Sequence, residues 1–371
     1  MDNYDNTIFT IEPSEKYFYE ALSKLVDDKK IKGKTIVLKP NIRSIHPVSK
    51  ARNTNPMVVE NVLKFFKNNY DNKCIVCDSS VIGIDTIEAA KVSGIYEVCE
   101  RYSTEFVDIK QLPFSKHETA IEPNIIEISD ILLNEIYLVN IPKLKTTYAT
   151  PVSLSIKNLK GLISDQSKKD FHQYGLDSLL AELKTMIRPD LNIIDGVISL
   201  SLQTPINTNL VILSTLYAEL DASISEDLGI GWRNINYLKH IFNDSDPFLN
   251  LNKITLGNPT KFSSFKLETA DKKMITKYPN VLLLSGSNPC SGCLGCIQKA
   301  LDKVQTNKKI IIITGFMNEE ENILLDRINK DTLKEERVII NIGNCSAKKY
   351  TLGNKVFGCP PTIDKIKKII F

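Results

Sequence analysis

Short runs of β-branched and aliphatic residues recur along most of the chain, and between them lie stretches whose apolar positions return every three to four residues. The runs at 35–38, 74–77, 136–139, 191–194 and 210–213 are strand-sized, and the segments 56–68, 86–92, 176–186 and 222–228 read as helices. This alternation predicts an α/β fold of mostly parallel sheets flanked by helices, because parallel neighbours need a long crossover between them. A polar stretch after Asn250, containing Gly257-Asn258-Pro259, divides the pattern into a large domain over 1–255 and a smaller α/β domain over 256–371. In the smaller one, strands at 281–284, 310–314 and 337–341 alternate with helices at 294–304, 319–328 and 363–370.

The cysteines change the picture most. Five of the eight fall in the smaller domain, at Cys290, Cys293, Cys296, Cys345 and Cys359. Two-residue spacers let Cys290, Cys293 and Cys296 wrap around one metal centre, as in a ferredoxin loop, whose pattern continues to a Cys followed by Pro. Cys359-Pro360 supplies that fourth ligand, with Cys345, just after a strand, as the alternative. The expectation is a 4Fe-4S cluster. A zinc site made from the same thiolates is the competing reading, though zinc sites commonly pair two Cys-x2-Cys units. Cys74 and Cys77 lie three apart within a strand, so their side chains take opposite faces and belong to the core; Cys99 is expected to be buried too.

Polar residues gather at the ends of the large domain's strands: Lys39-Pro40-Asn41, Asp78-Ser79-Ser80, Pro142-Lys143-Leu144-Lys145-Thr146 and Asp195-Gly196, with Ser155-Ile156-Lys157-Asn158 downstream. In a parallel sheet such loops converge on one rim, where ligands bind. Lys39, Asn41, Ser79, Lys157 and Asn158 are therefore expected to line a cleft for a small anionic substrate. Lys143, Lys145, His172 and Asp195 are the catalytic candidates: Asp195 orients a lysine, a desolvated lysine serves as base, and His172 transfers a proton. The cysteine loop is expected next to this cleft. Neither standard Gly-rich phosphate loop is present.

These motifs together resemble the domain of unknown function 362 family. Lys39-Pro40-Asn41, Thr54-Asn55-Pro56, Asp78-Ser79-Ser80, Pro142-Lys143-Leu144-Lys145-Thr146, Ile156-Lys157-Asn158-Leu159-Lys160-Gly161, His172, Asp195-Gly196 and Leu220-Asp221 follow in the family's order over about residues 30–230. Thr147 stands where the family typically has a histidine, and the usual glycine-rich turn after Asp195-Gly196 is replaced by residues 199–205, so roles tied to those features do not carry over. The resemblance implies an anaerobe-type iron–sulfur protein and no settled reaction.

Charge and composition exclude several classes. A net charge of +3 without a clustered basic face argues against nucleic-acid binding. No apolar run approaches membrane-helix length, and the polar, acidic start of the chain carries no signal peptide, so a cytoplasmic protein with no membrane partner is expected. Three functions fit: an iron–sulfur oxidoreductase acting on an anion in the lysine cleft, with a redox partner such as a ferredoxin; a non-redox enzyme using an open iron as Lewis acid; or an electron-transfer or assembly module without its own substrate. The convergent lysines favour an enzyme over a pure carrier, which needs none.

Overall fold

The structure, a computed structural model, describes residues 4–269, 277–286, 291–303, 308–330, 337–358 and 361–370. These group into two compact units, one of 4–146, 152–168 and 178–267, the other of 147–151, 169–177 and the described residues from 268 onward. The division expected near residue 255 falls later because Asn252–Leu256 pairs with Thr7–Ile11 and so stays in the large sheet.

The larger unit carries strands β1 (Thr7–Ile11), β2 (Thr35–Pro40), β3 (Cys74–Asp78), β4 (Glu105–Asp108), β5 (Phe114–Glu118), β6 (Ile125–Ser129), β7 (Ile136–Ile141), β8 (Lys143–Lys145), β9 (Leu191–Ser201), β10 (Thr204–Ser214) and β11 (Asn252–Leu256). Its main sheet runs in the order β11-β1-β10-β9-β7-β2-β3-β4, with β8 pairing β9, while β5 and β6 form a separate antiparallel pair. The segment β9-β7-β2-β3-β4 is parallel, placing Leu38 between Val139 and Val76. Alternate residues Ile36, Leu38, Val76, Tyr137, Val139, Leu191 and Ile193 meet Phe18, Leu22, Val58, Val62 and Phe66 of the covering helices Glu15–Leu25 and Pro56–Asn69 in one apolar core. Asn55 caps the second helix by accepting from the Met57 amide, and Pro56 opens it, a position where proline loses no helical hydrogen bond.

One expectation needs correction. Residues 210–213 belong to β10, which folds back antiparallel on β9 through the two residues Leu202 and Gln203, Leu202 taking a φ of +55°. The apolar run of β9 seemed to end at Asp195, but Asp195 is neutralised by Lys143 and the strand continues through it to Ser201. The sheet is therefore mixed, and Asp195 sits within a strand instead of at its end.

The smaller unit holds β12 (Val281–Gly286), β13 (Lys309–Phe316), β14 (Arg337–Ile342) and β15 (Asn354–Val356), in that order and all parallel. Leu284, Ile311, Ile313, Met317 and Leu325 form its core against the helix Glu319–Lys330. The helix expected over 294–304 begins earlier, at Ser291, and ends at Leu301. Cys293 and Cys296 therefore stand on a helix and not in an irregular loop. Among the described residues no helix is long and apolar enough to cross a membrane.

Candidate functional site

In the larger unit, the end of β2 brings Lys39 beside the end of β3. Lys39 is fully buried, and its Nζ donates to Asp78 Oδ1 at 2.8 Å and to the Pro40 carbonyl at 3.1 Å. The other Asp78 oxygen accepts from the Ile42 amide at 2.5 Å. Two strands away the same arrangement repeats. Lys143, opposite Asp195 in the β8–β9 register, donates from Nζ to Asp195 Oδ2 at 2.7 Å, both side chains fully buried. Asp195 also accepts from the amides of Asn55 at 2.6 Å and Val197 at 3.0 Å. Two charges taken from water at this depth persist only because each is paired and its remaining oxygens are satisfied.

Lys145 differs. It shares the β8 face of Lys143 and is 6% exposed, yet its Nζ donates to an amide oxygen, Asn41 Oδ1, at 2.5 Å. Asn41 is held so that its oxygen faces inward: its Nδ2 donates to the Arg52 carbonyl at 2.8 Å and its backbone amide to Thr54 Oγ1 at 2.8 Å. Burial first, then the nearby Arg43 and Lys157 cations, push the Lys145 ammonium well below the usual lysine range, with Asp78 opposing. Arg43, Lys157 and Asn41 are all half-buried. Burial of Lys145 beside these cations makes its charge costly, a cost that a bound anion would lower.

The remaining residues of the expected cleft are engaged in scaffolding. Asn158 Nδ2 donates to Asn140 Oδ1 at 2.8 Å, and Asn140 passes the chain on to Asn192 at 2.9 Å, an amide ladder across the sheet. Ser79 Oγ donates to the Gly161 carbonyl at 2.7 Å and accepts from Lys168 Nζ at 2.7 Å. Burial lowers the Lys168 ammonium, while Asp165, 3.0 Å away, raises it. His172 is half-buried and belongs to the smaller unit, not to the one holding the lysines. Asp78 was placed on the rim from the sequence but given no role, and Arg43 and Lys168 were not singled out; the nearness of Arg43 to Lys39-Pro40-Asn41 in the chain was a signal for it.

Gly161 packs directly on the Lys39–Asp78 pair. A Cβ at this position would meet Asp78 Oδ1, lie 2.5 Å from Lys39 Nζ and 2.8 Å from Lys39 Cε. Because both side chains are clamped, Gly161→Ala is expected to destabilise the protein by about 1–3 kcal/mol, the usual cost of overpacking, in a denaturant titration. A variant as stable as the parent would show that the pair can yield.

Asp221, fully buried, accepts from the Ser155 amide at 2.8 Å, the Ile156 amide at 3.1 Å and Tyr237 Oη at 3.3 Å, holding the start of the turn that carries Lys157 and Asn158. Burial pushes its carboxyl from 3.8 up to about 7, although these hydrogen bonds favour the ionised form. The native state therefore binds a proton that the unfolded chain has lost between those values. This contribution to stability is fully present below 3.8 and disappears as pH rises through about 7. Denaturation midpoints measured across this range should fall with rising pH more steeply in the parent than in Asp221→Asn.

In the smaller unit, the helix Ser291–Leu301 follows β12 and the helix Asn344–Lys349 follows β14. Cys293 is buried; Cys296, one turn further along the same helix, and Cys345 are half-buried. Gly343 has a φ of +99°, and a Cβ there would lie 3.0 Å from Cys293 Sγ and 3.7 Å from Cys345 Sγ. Two sulfurs from separate strand ends thus share the space left open by one glycine. Gly358 joins the same corner: its amide donates to Asn344 Oδ1 at 2.9 Å and its carbonyl accepts from the Asn344 amide at 3.1 Å. Cys290 and Cys359 lie outside the described residues. Among the described residues, no three His, Cys, Asp or Glu side chains gather as a metal site. The donor set suits an iron–sulfur cluster: softly ligating thiolates, a glycine cradle and the carboxyl ends of parallel strands. Cys74, Cys77 and Cys99, in contrast, are buried in the larger unit, and burial pushes the Cys77 and Cys99 thiols up to about 12. They are inert core residues.

The architecture is that of an α/β protein with a mixed, mostly parallel sheet carrying buried lysines and a second, fully parallel sheet followed by helices that carry cysteines. The chain belongs to the domain of unknown function (DUF362) family, whose model matches residues 36–225. Among solved structures, the lactate racemase apoprotein from Thermoanaerobacterium thermosaccharolyticum is similar at 11% identity and a TM-score of 0.41, covering 95% of this chain and 88% of that one. Comparison with curated proteins finds no match.

Proposed function

We propose that the protein is a 4Fe-4S oxidoreductase whose larger unit binds a small anionic substrate at Arg43, Lys145 and Lys157. The observation that carries this reading is the pattern of lysine pairing. Lys39 and Lys143 each have a carboxylate partner, whereas Lys145, among the described residues, donates to an amide oxygen, with Arg43 and Lys157 acting on it as cations. An anion at this point would relieve that repulsion, and Lys145, once deprotonated, would accept a proton from it. Asp195 holds Lys143 in place, and the Asn158–Asn140–Asn192 ladder holds the turn bearing Lys157.

Cys290, Cys293 and Cys296 would hold the cluster, with Cys345, whose sulfur shares the Gly343 space with Cys293, or Cys359 as the fourth ligand. When bound it would supply single electrons, exchanged with a redox partner such as a ferredoxin. The test is an electron paramagnetic resonance spectrum of anaerobically purified, reduced protein, recorded with and without small carboxylates, alongside calorimetry of their binding. A cluster signal that changes as the anion binds supports the reading. Stoichiometric zinc with negligible iron would overturn the cluster, and absence of any anion binding would overturn the cleft.

A further inference from the structure

A hydroxyl buried in a core is costly unless something accepts its hydrogen. Ser346, fully buried beside Cys345, meets that demand: its Oγ has the Ile342 carbonyl at 2.9 Å and the Ile313 carbonyl at 3.2 Å as acceptors. Thr314 does not. It is fully buried near the end of β13, and its Oγ1 has no hydrogen-bond partner among the described residues. Ile342, its register partner, and the alternate residues Ile310 and Ile312 make its face of the sheet apolar. That is a poor setting for a water, which needs two or more polar partners. The strand is also irregular here. One residue of β12, Ser285, stands opposite two of β13, Thr314 and Gly315, and Gly315 takes a φ of +73°. A bulge of this kind re-aims the side chains it carries.

The sheet order puts this hydroxyl at the cysteine corner. β13 lies between β12, which runs into the segment carrying Cys290, Cys293 and Cys296, and β14, which runs into Gly343 and Cys345. The Cys293 sulfur reaches the end of β14, 3.0 Å from where a Gly343 Cβ would lie, and so spans the end of the strand between. Thr314 pairs with Ile342, the residue just before that glycine. Its face of the sheet is opposite the core of Ile311, Ile313 and Leu325, and the buried Leu294 and Ile297 of the helix carrying Cys293 lie outside that core. Resting on the reading of the cysteines as ligands of a 4Fe-4S cluster, we propose that Thr314 is a hydrogen-bond donor to that cluster, its Oγ1 hydrogen going to a sulfur of the bound centre. A donor to sulfur stabilises the more negative, reduced state and raises the reduction potential. Thr314 thereby sets the potential at which electrons pass, and itself transfers nothing.

Two substitutions test it: Thr314→Val removes the hydroxyl and keeps the branched shape, while Thr314→Ser keeps the hydroxyl. Parent and variants, as full chains, are purified anaerobically, assayed for iron and sulfide, and titrated with dithionite while electron paramagnetic resonance follows the reduced cluster. Thr314→Val is expected to hold as much iron as the parent. Its one-electron reduction equilibrium should shift about threefold to tenfold toward the oxidised form, or about 30 to 60 mV at 59 mV per decade. Thr314→Ser should stay near the parent. A second readout needs no cluster. In chelated protein the hydroxyl has no acceptor, so Thr314→Val should unfold at a denaturant concentration equal to or above the parent's, an advantage lost once the cluster is bound. An unchanged potential in Thr314→Val would overturn the proposal. So would a chelated Thr314→Val less stable than chelated parent, which would give the hydroxyl a partner within the protein. Both results leave the cluster standing. Iron lost from both variants would make Thr314 a packing residue and overturn the proposal too, whereas iron lost from Thr314→Val alone supports it. A parent with stoichiometric zinc, or with no cluster, would overturn the cluster and the donor together.

Discussion

Asp195→Ala is expected to cost about 3–5 kcal/mol of folding stability, the range observed when one partner of a buried ion pair is removed. The loss has three parts in this structure. Lys143 would keep a buried ammonium without its partner at 2.7 Å, and the amides of Asn55 and Val197 would lose their acceptor. Guanidinium titrations of parent and variant measure the difference directly. The double variant Lys143→Met/Asp195→Ala should recover a good part of it, because the buried charge is then gone, while the two amides remain unsatisfied. A single variant within about 1 kcal/mol of the parent would mean that the pair contributes as little as an exposed one does.

Cys293→Ser and Cys345→Ser are each expected to lose most of the bound iron and the broad charge-transfer absorption at roughly 400 nm that marks such clusters in anaerobically prepared protein. Cys293 and Cys345 approach the same glycine from different strand ends, so either loss opens the cradle at its described side. Gly343→Ala should act in the same direction, since its Cβ would fall 3.0 Å from Cys293 Sγ at a backbone φ of +99° that disfavours any other residue. Cys359→Ser decides the remaining ligand. Iron lost in Cys359→Ser and retained in Cys345→Ser would reverse the assignment of Cys345, and retention in Cys293→Ser would remove the cluster from this corner altogether.

Much of the fold was legible because buried parallel strands must be continuous apolar runs. Residues 35–38, 74–77 and 136–139 were read correctly for that reason and appear in β2, β3 and β7. The hairpin was not legible, because its signal was interrupted. Asp195-Gly196 resembles a strand end in one dimension and becomes a strand interior only when Lys143, 52 residues earlier, neutralises it. The helix carrying Cys293 was misplaced for a local reason. Ser291-Gly292 and Gly295 are poor helix formers, and in the structure the helix that follows β12 nevertheless includes all three.

The sequence by itself determined the composition of the sites: which lysines, amides and carboxylates stand near the ends of apolar runs, and that the thiols crowd at two-residue spacing. Only the tertiary structure decided which of Lys39, Lys143 and Lys145 is, among the described residues, paired with an amide and not a carboxylate. Asp78 and Asp195 are each 39 and 52 residues from the lysines they pair with, and Asn41 is 104 from Lys145. Pairing at such separations is set by strand order and register, which no local pattern encodes. Three chemically identical side chains thus take two different surroundings: two are paired with carboxylates, and one is hydrogen-bonded to an amide oxygen.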